Sequence, residues 1–315
     1  MCGIVGGIAQ RNIVPILLEG LKRLEYRGYD SAGLAVINEQ AIYRKRALGK
    51  VVGLETMLHK GPITGHIGIA HTRWATHGKP STANAHPHVC RDKVVVVHNG
   101  IIENHEHLRG TLKADGYEFT SETDTEVIVH QVFQALETAD NLLAAVKLTI
   151  KKLDGAYALG IMSTTEPNTL IACRKGSPLV IGVGIGEYFV ASDVAALLPV
   201  TQRFIFLEEG DIAAITIEGV TIYDADDQIV ERQIKESQLT ADSVDKGSYR
   251  HYMLKEIYEQ PFAISQALEG RFTRHHLQES AFGHNAATGF DNIKSVQILA
   301  CGTSYHAGLV ARYWF

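Results

Sequence analysis

The stretch CGIVGGIA, residues 2–9, decides how the rest of the chain reads. It is short, apolar and punctuated by glycine, which suits a buried strand, and it carries a cysteine directly behind the initiator methionine. Two readings are open. Cys2 is a small buried hydrophobe, as a lone cysteine commonly is; or removal of Met1 makes it the first residue, so that a thiol and a free α-amino group share one carbon skeleton. In the second reading the α-amine, whose reference pKa is about 7.7–8.0, acts as base for its own side chain without any histidine. A terminus with that task has to be held in a strand, because chain ends otherwise fray.

Outward from this stretch, VPILLEGLKRLEYRG places apolar residues at 14, 17, 18, 21 and 24, a helix spacing with Gly28 as its stop. Strand-like runs follow one another through SAGLAVIN, AIYRKRAL, IGIAHTRWA and KVVVVHNGII without intervening helices, the pattern of antiparallel sheets. A helical block over TDTEVIVHQVFQALETADNLLAAVKLTIKKL, with Asp124 or Thr125 as candidate cap, precedes further strands at 156–162, 169–173, 179–183, 188–191, 204–206 and 211–217. Strand groups alternating with helix groups give an α+β class. From about residue 220 the chain turns polar and acidic, which reads as a linker. Helical spacing resumes in YMLKEIYEQPFAISQALEGRF, where Pro261 is expected to kink or split the helix. The last residues, SVQILACGTSYHAGLVARYWF, read as a strand, a small polar turn and the first turns of a helix.

The 315 residues allow about two domains on a prior of roughly 150 residues each. A net charge of −5 argues against a broad nucleic-acid or anionic-membrane footprint while leaving room for a local basic pocket. The four cysteines, Cys2, Cys90, Cys173 and Cys301, form no CxxC pair and suggest neither a zinc ribbon nor a disulfide scaffold. No apolar run approaches the ~20 residues of a membrane helix, and the N-terminus lacks a basic region ahead of an apolar one. A reducing, cytoplasmic setting is expected, with no cofactor.

A nucleophile at Cys2 needs donors for an oxyanion, and HNG at 98–100 offers the Asn99 amide beside the unobstructed backbone N–H of Gly100. An Asn-Gly pair equally suits a hairpin turn. In HTRWATHG, residues 71–78, Arg73 can clamp a carboxylate bidentately and Trp74 can form an apolar lid; a strand end with a solvated arginine fits the same letters. Asp124 in SETDTE, residues 121–126, suits a helix cap or a receptor for an ammonium group. His86, His88 and Cys90 alternate as metal ligands on a strand would, but Pro87 spoils a regular strand and no fourth ligand is placed, so no metal is expected. ACGTS, residues 300–304, puts small hydroxyl residues between a strand and a helix N-terminus, which forms either a phosphate cradle or an ordinary cap by Thr303 or Ser304.

With Cys2, YRGYDSAG, HTRWATHG, NAHPH, HNGIIEN and SETDTE in this order, the chain resembles the class II glutamine amidotransferases. The resemblance implies a four-layer αββα sandwich of the N-terminal-nucleophile hydrolase kind, in which Cys2 attacks the glutamine side-chain amide. It also implies Asn99 and Gly100 as the oxyanion hole, and Arg73 and Asp124 as grips on the glutamine α-carboxylate and α-amino groups. Thr76 and His77 line the pocket, His86 supports it and Trp74 gates the ammonia path. DKGSYRHYMLKEIYEQP, residues 245–261, and ILACGTSYHAGLVARYWF, residues 298–315, are similar to the lead-in of an α/β sugar isomerase domain. That similarity implies fructose 6-phosphate as acceptor in a longer, homodimeric parent, with Cys301, Gly302, Thr303 and Ser304 as an incomplete sugar-phosphate cradle. The expected division is 2–219 for the amidotransferase domain, 220–285 for the linker and lead-in helices, and 286–315 for the start of the isomerase domain. The other reading is a non-catalytic module that binds glutamine or a sugar phosphate, with Cys2 in its core.

Overall fold

The computed structural model describes residues 2–237, 247–268, 271, 276, 289, 290 and 292–315. Met1, residues 238–246 of the expected linker and most of 269–291 lie outside them. Contacts divide the chain into two units, Met1–Asp245 and Lys246–Phe315.

The first unit runs β1 (Gly3–Ile8), α1 (Val14–Leu24), β2 (Ser31–Asn38), β3 (Ala41–Leu48), α2 (Val51–Lys60), β4 (Ile67–Arg73), β5 (His88–Cys90), β6 (Val94–Ile102), α3 (His105–Ala114), α4 (Thr125–Leu136) and α5 (Leu142–Ile150). It continues with β7 (Gly155–Ser163), β8 (Glu166–Lys175), β9 (Val180–Val183), β10 (Tyr188–Ala191), β11 (Arg203–Phe206), β12 (Ile212–Ile215), β13 (Val220–Tyr223), β14 (Ile229–Val230) and β15 (Ile234–Glu236). One sheet has the order β15-β11-β9-β10-β1-β4-β2-β3, the other β14-β13-β12-β8-β7-β6-β5. The ladders joining these strands are antiparallel.

Successive strand residues face opposite sides of a sheet, and the apolar runs here are buried on both. Along β1, Ile4 and Ile8 enter the core between the two sheets, whereas Val5 enters the core under α1 and α2. Along β6, Val95 and Val97 face the sheet interface while Val94 and Val96 face α3, α4 and α5. Three cores thus separate four layers, helix, sheet, sheet and helix, and the continuous valines of β6 follow from burial on two sides. The α+β sandwich expected from the sequence is the observed architecture.

Differences from expectation cluster where sequence pattern meets tertiary context. The stretch after 219, read as linker, instead supplies β13, β14 and β15, which extend both sheets of the first unit. Their exposed outer faces make them polar, so an edge strand and a linker look alike in composition. Between β14 and β15, Arg232 clamps the fully buried Asp211 bidentately, Nε to Oδ2 at 3.0 Å and Nη2 to Oδ1 at 2.8 Å. The helical block after 123 divides into α4 and α5, where Asn141 Oδ1 accepts the Ala144 N–H at 2.8 Å and starts a new helix.

In the second unit, α6 (Tyr252–Leu268) continues through Pro261 rather than splitting there. The carbonyl that Pro261 leaves without a donor belongs to Ile257, on a helix with exposed faces. Residues 295–300, expected as a strand, have no ladder partner among the described residues, and α7 (Gly302–Ala311) follows them. Among the described residues no helix is long and apolar enough to cross a membrane.

The Arg232 clamp predicts that the post-219 segment is part of the cooperative unit. Arg232→Ala leaves the Asp211 carboxylate buried without its partner and is expected to cost about 3 kcal/mol in urea denaturation of the whole chain. Arg232→Lys should recover only part of that because the planar fork is lost. An unchanged midpoint in Arg232→Ala would show that this segment is not integral to the sandwich.

Candidate active site

The β1–β4 ladder sets Gly3 opposite Thr72, which brings Cys2 to the end of β4 where Arg73 and Trp74 emerge. On its other side β1 pairs with β10, and Ser192 just beyond β10 accepts the Ile4 N–H on its Oγ at 3.0 Å. The N-terminal strand is therefore held from both edges. Cys2 Sγ accepts the Trp74 N–H at 3.2 Å, and its thiol donates to the Trp74 carbonyl at 3.4 Å. Burial pushes the thiol pKa up and the Trp74 N–H partly offsets it, so at neutral pH the thiol keeps its proton and needs a base.

Asn99 and Gly100 lie inside β6, paired with Ala158 and Tyr157 of β7, and so not in a hairpin turn. Asn99 Nδ2 donates to the Cys2 carbonyl at 3.2 Å. Gly100 has φ +131°, and a Cβ there would come within 1.9 Å of the Ala156 carbonyl oxygen, so only glycine fits. Gly28 ends the 3₁₀ turn that follows α1 at φ +91°, and a Cβ there would meet the Trp74 indole at 2.4 Å. The "stop" glycine of α1 thus also seats the tryptophan beside Cys2.

Arg73 is 4% exposed and already engaged. Its Nη1 donates to Asp30 Oδ1 at 3.3 Å, and its Nη2 to the carbonyls of His77 and Gly78 at 2.5 and 2.8 Å. The solvated arginine of the alternative sequence reading is not what the structure contains. Asn84 ties this loop to the next one, donating to Lys79 O and Glu122 Oε2 while accepting the Glu122 N–H.

Asp124 holds the N-cap position of α4 but makes no side-chain cap; its Oδ2 accepts the Ile102 N–H at 2.9 Å and its Oδ1 lies 3.9 Å from His77 Nδ1. What places it is Glu126, whose carboxylate takes hydrogen bonds from the N–H and hydroxyl of both Thr120 and Ser121. Burial opposes the Glu126 charge, but those donors, with His130 3.8 Å away, hold its pKa well below the usual carboxylate range.

Four buried histidines pack behind these groups. His71 and His86 stack with ring centroids 4.0 Å apart, and His88 meets His86 edge-on at 4.8 Å. The His98 N–H donates to His86 Nδ1 at 3.4 Å, so His86 carries its proton on Nε2 and donates to Thr125 Oγ1 at 3.2 Å. The Thr125 hydroxyl then donates to His98 Nδ1 at 3.0 Å. His88 Nε2 meets Thr123 Oγ1 at 3.1 Å and Cys90 Sγ meets His130 Nδ1 at 3.1 Å, so the alternating ligands of the metal reading bond to protein groups. Among the described residues no cluster could hold a metal ion. Burial pushes all four imidazoles down, His71 and His88 to about 3, leaving them neutral at pH 7.

Cys2, Arg73, Trp74, Thr76, His77, His86, Gly100 and Asp124 line one cleft, together with His98, Thr123 and Thr125. Asn99 sits one hydrogen bond from Cys2, so the nine candidate residues of the first unit converge. His71, His98, Asp30 and Glu126 were not singled out from sequence, although each is a letter of a motif that was: HTRWATHG, HNG, YRGYDSAG and SETDTE. Cys301, Gly302, Thr303 and Ser304 are exposed at the start of α7 in the second unit, and neither hydroxyl caps that helix. A further concavity lies in the second unit, against Phe290, Ile293, Leu309 and Phe315, and no Cys, His, Asp or Glu lines it.

Residues 71–199 match the family profile of the glutamine amidotransferase domain. Over its whole length the chain is 58% identical to the glutamine–fructose-6-phosphate aminotransferase (isomerizing) of Shewanella oneidensis and 60% identical to that of Salmonella typhimurium, covering 52% of each. The chain thus spans about half the length of these curated relatives. Among solved structures it is similar to the glutamine phosphoribosylpyrophosphate amidotransferase of B. subtilis complexed with ADP and GMP, at TM-score 0.62 and 25% identity over 72% of this chain and 50% of that one. A second similar structure, titled as the allosteric regulatory enzyme of purine biosynthesis, gives TM-score 0.64 and 25% identity over 71% of this chain and 49% of that one.

The histidine cluster predicts acid sensitivity. Below pH 6.5 the unfolded chain binds protons that folded His71 and His88, with pKa about 3, refuse. Stability is therefore complete above 6.5 and falls as pH drops toward 3, by up to about 1.4 kcal/mol per pH unit for each proton taken up. Glu126, lowered from 4.5, adds a loss in the same direction below that value. The urea midpoint should decline steadily from pH 7 to 5; a flat midpoint there would contradict neutral buried imidazoles.

Proposed function

We propose that this chain, which carries a glutamine amidotransferase domain, hydrolyses glutamine through Cys2 once Met1 is removed. The observation that carries the reading is the Asn99 amide 3.2 Å from the Cys2 carbonyl, a preorganised donor beside the nucleophile. The freed α-amine takes the thiol proton, and Sγ attacks the carbonyl carbon of the glutamine side-chain amide. Asn99 Nδ2 and the Gly100 N–H receive the oxyanion. Collapse breaks the C–N bond, ammonia leaves with the proton held by the amine, and water hydrolyses the γ-glutamyl thioester to glutamate.

The cleft suits the rest of glutamine. Asp124, not engaged in capping, accepts the α-ammonium, and Arg73 receives the α-carboxylate by rearranging its hold on the 77–78 carbonyls. Thr76 and His77 line that end, His86 backs the site and Trp74 covers the exit for ammonia. In the longer parent, fructose 6-phosphate accepts the nitrogen, and Cys301, Gly302, Thr303 and Ser304 form part of its phosphate cradle. This acceptor rests on the names of the relatives and on the resemblance of residues 298–315. A reducing cytoplasmic compartment fits the four free thiols.

The test is glutamate release by the purified chain, with the N-terminus read by intact mass. Cys2→Ala should abolish turnover and retain glutamine binding, and Asn99→Ala should lower kcat about 10²–10³-fold. Arg73→Lys should mainly raise KM, because the bidentate fork is lost. Release of glutamate by Cys2→Ala, or unchanged KM in Arg73→Lys, would sink the corresponding assignment. Fructose 6-phosphate added to this chain alone should yield no amino sugar phosphate.

A further inference from the structure

The oxyanion donor of the proposed reaction is a primary amide, which can turn either its NH₂ or its carbonyl toward the nucleophile. Something has to choose. His71 is fully buried on β4, and its Nε2 lies 3.0 Å from two oxygens, the His98 backbone carbonyl and Asn99 Oδ1. The backbone carbonyl can only accept, so Nε2 must carry a hydrogen. A ring N–H cannot face the Asn99 NH₂, so the Asn99 carbonyl is held toward His71 and its NH₂ is directed at Cys2, where it donates at 3.2 Å.

The rest of the ring agrees. His71 Nδ1 is buried without a hydrogen-bond partner, as expected if the single ring proton is spent on Nε2. The ring is clamped by stacking on His86, 4.0 Å away at 20°, and by the ladder that pairs its strand with β1 and β2. Burial holds the imidazole neutral at pH 7, so it serves as a fixed donor and not as an acid or base.

We propose that His71 is a positioning residue for glutamine hydrolysis: a neutral Nε2–H imidazole, its tautomer dictated by the His98 carbonyl, that locks the Asn99 amide in the one orientation able to stabilise an oxyanion. The proposal rests on the glutaminase reading above, since without an oxyanion the orientation of Asn99 has no chemical consequence.

Two near-isosteric substitutions separate donor from bulk. The Gln side-chain nitrogen can reach the position of imidazole Nε2, whereas that of Asn reaches only Nδ1. His71→Asn should lower kcat by much of the about 10²–10³-fold expected for Asn99→Ala, with KM for glutamine within about twofold, and His71→Gln should restore most of kcat. In an Asn99→Ala background, His71→Asn should cause no further loss, because the two residues act as one unit. If Asn99→Ala is impaired but His71→Asn keeps its kcat, or if the losses multiply in the double variant, the His71 proposal falls while the glutaminase reading stands. If the wild-type chain releases no glutamate, the glutaminase reading falls and the catalytic role of His71 falls with it. Ring-nitrogen NMR of the whole chain at pH 7 checks the lock independently of turnover: a proton on Nε2 is expected, and an Nδ1–H tautomer would overturn the proposal even in an active protein.

Discussion

The site depends on the two-sided pairing of the first strand. A chain terminus ordinarily has no neighbour on one side and little to hold it. Here β1 is a central strand, hydrogen-bonded to β4 and β10, with Ile4 and Ile8 buried between the sheets and Val5 buried under the helices. Detaching Cys2 would mean breaking two ladders and exposing apolar side chains on both faces. That constraint gives a thiol beside the start of the chain the fixed position of an interior residue.

From that anchor the remaining parts are reached through hydrogen bonds rather than through sequence proximity. β4 carries His71 and Arg73, and β6, from the facing sheet, carries His98, Asn99 and Gly100. The loop before α4 carries Asp124, which Glu126 steadies by binding Thr120 and Ser121. Between them lies a polar interior tied by a closed ring of hydrogen bonds: His98 N–H to His86, His86 to Thr125, Thr125 to His98. Such a network is favourable only when satisfied and neutral, so burial of the imidazoles and rigidity of the site are the same fact seen twice.

Much of this was legible in the residues. The apolar spacing of α1, the glycine after it and the unbroken valines of β6 require only local periodicity and burial. The ordered set of Cys2, Arg73, Asn99-Gly100 and Asp124 pointed to one chemistry because a nucleophile, an oxyanion donor, a cation and an anion are complementary parts of a single reaction. Other stretches were not legible. An Asn-Gly pair has the letters of a hairpin turn, and only the pairing of β6 with β7 places it mid-strand. Asp124 has the letters of a cap, and only the Ile102 N–H shows its carboxylate turned elsewhere. The acidic stretch after 219 has the composition of a linker, yet Arg232 reaching back to a buried Asp211 makes it part of the sheets.

By itself the sequence determined which elements form and which chemical groups are available, because helix spacing, strand alternation and side-chain identity are local properties. Only the tertiary structure decided how those groups are presented: the direction of the Asn99 amide, the tautomers of the histidines, the engagement of Arg73 and the far edge of the sandwich. Each of these is set by a partner at least four residues away, and for Asn99, His71 and Arg232 more than twenty away, across a sheet or a layer. Hydrogen-bond direction and burial belong to the pair of groups in contact, and a linear string does not record which pairs will meet.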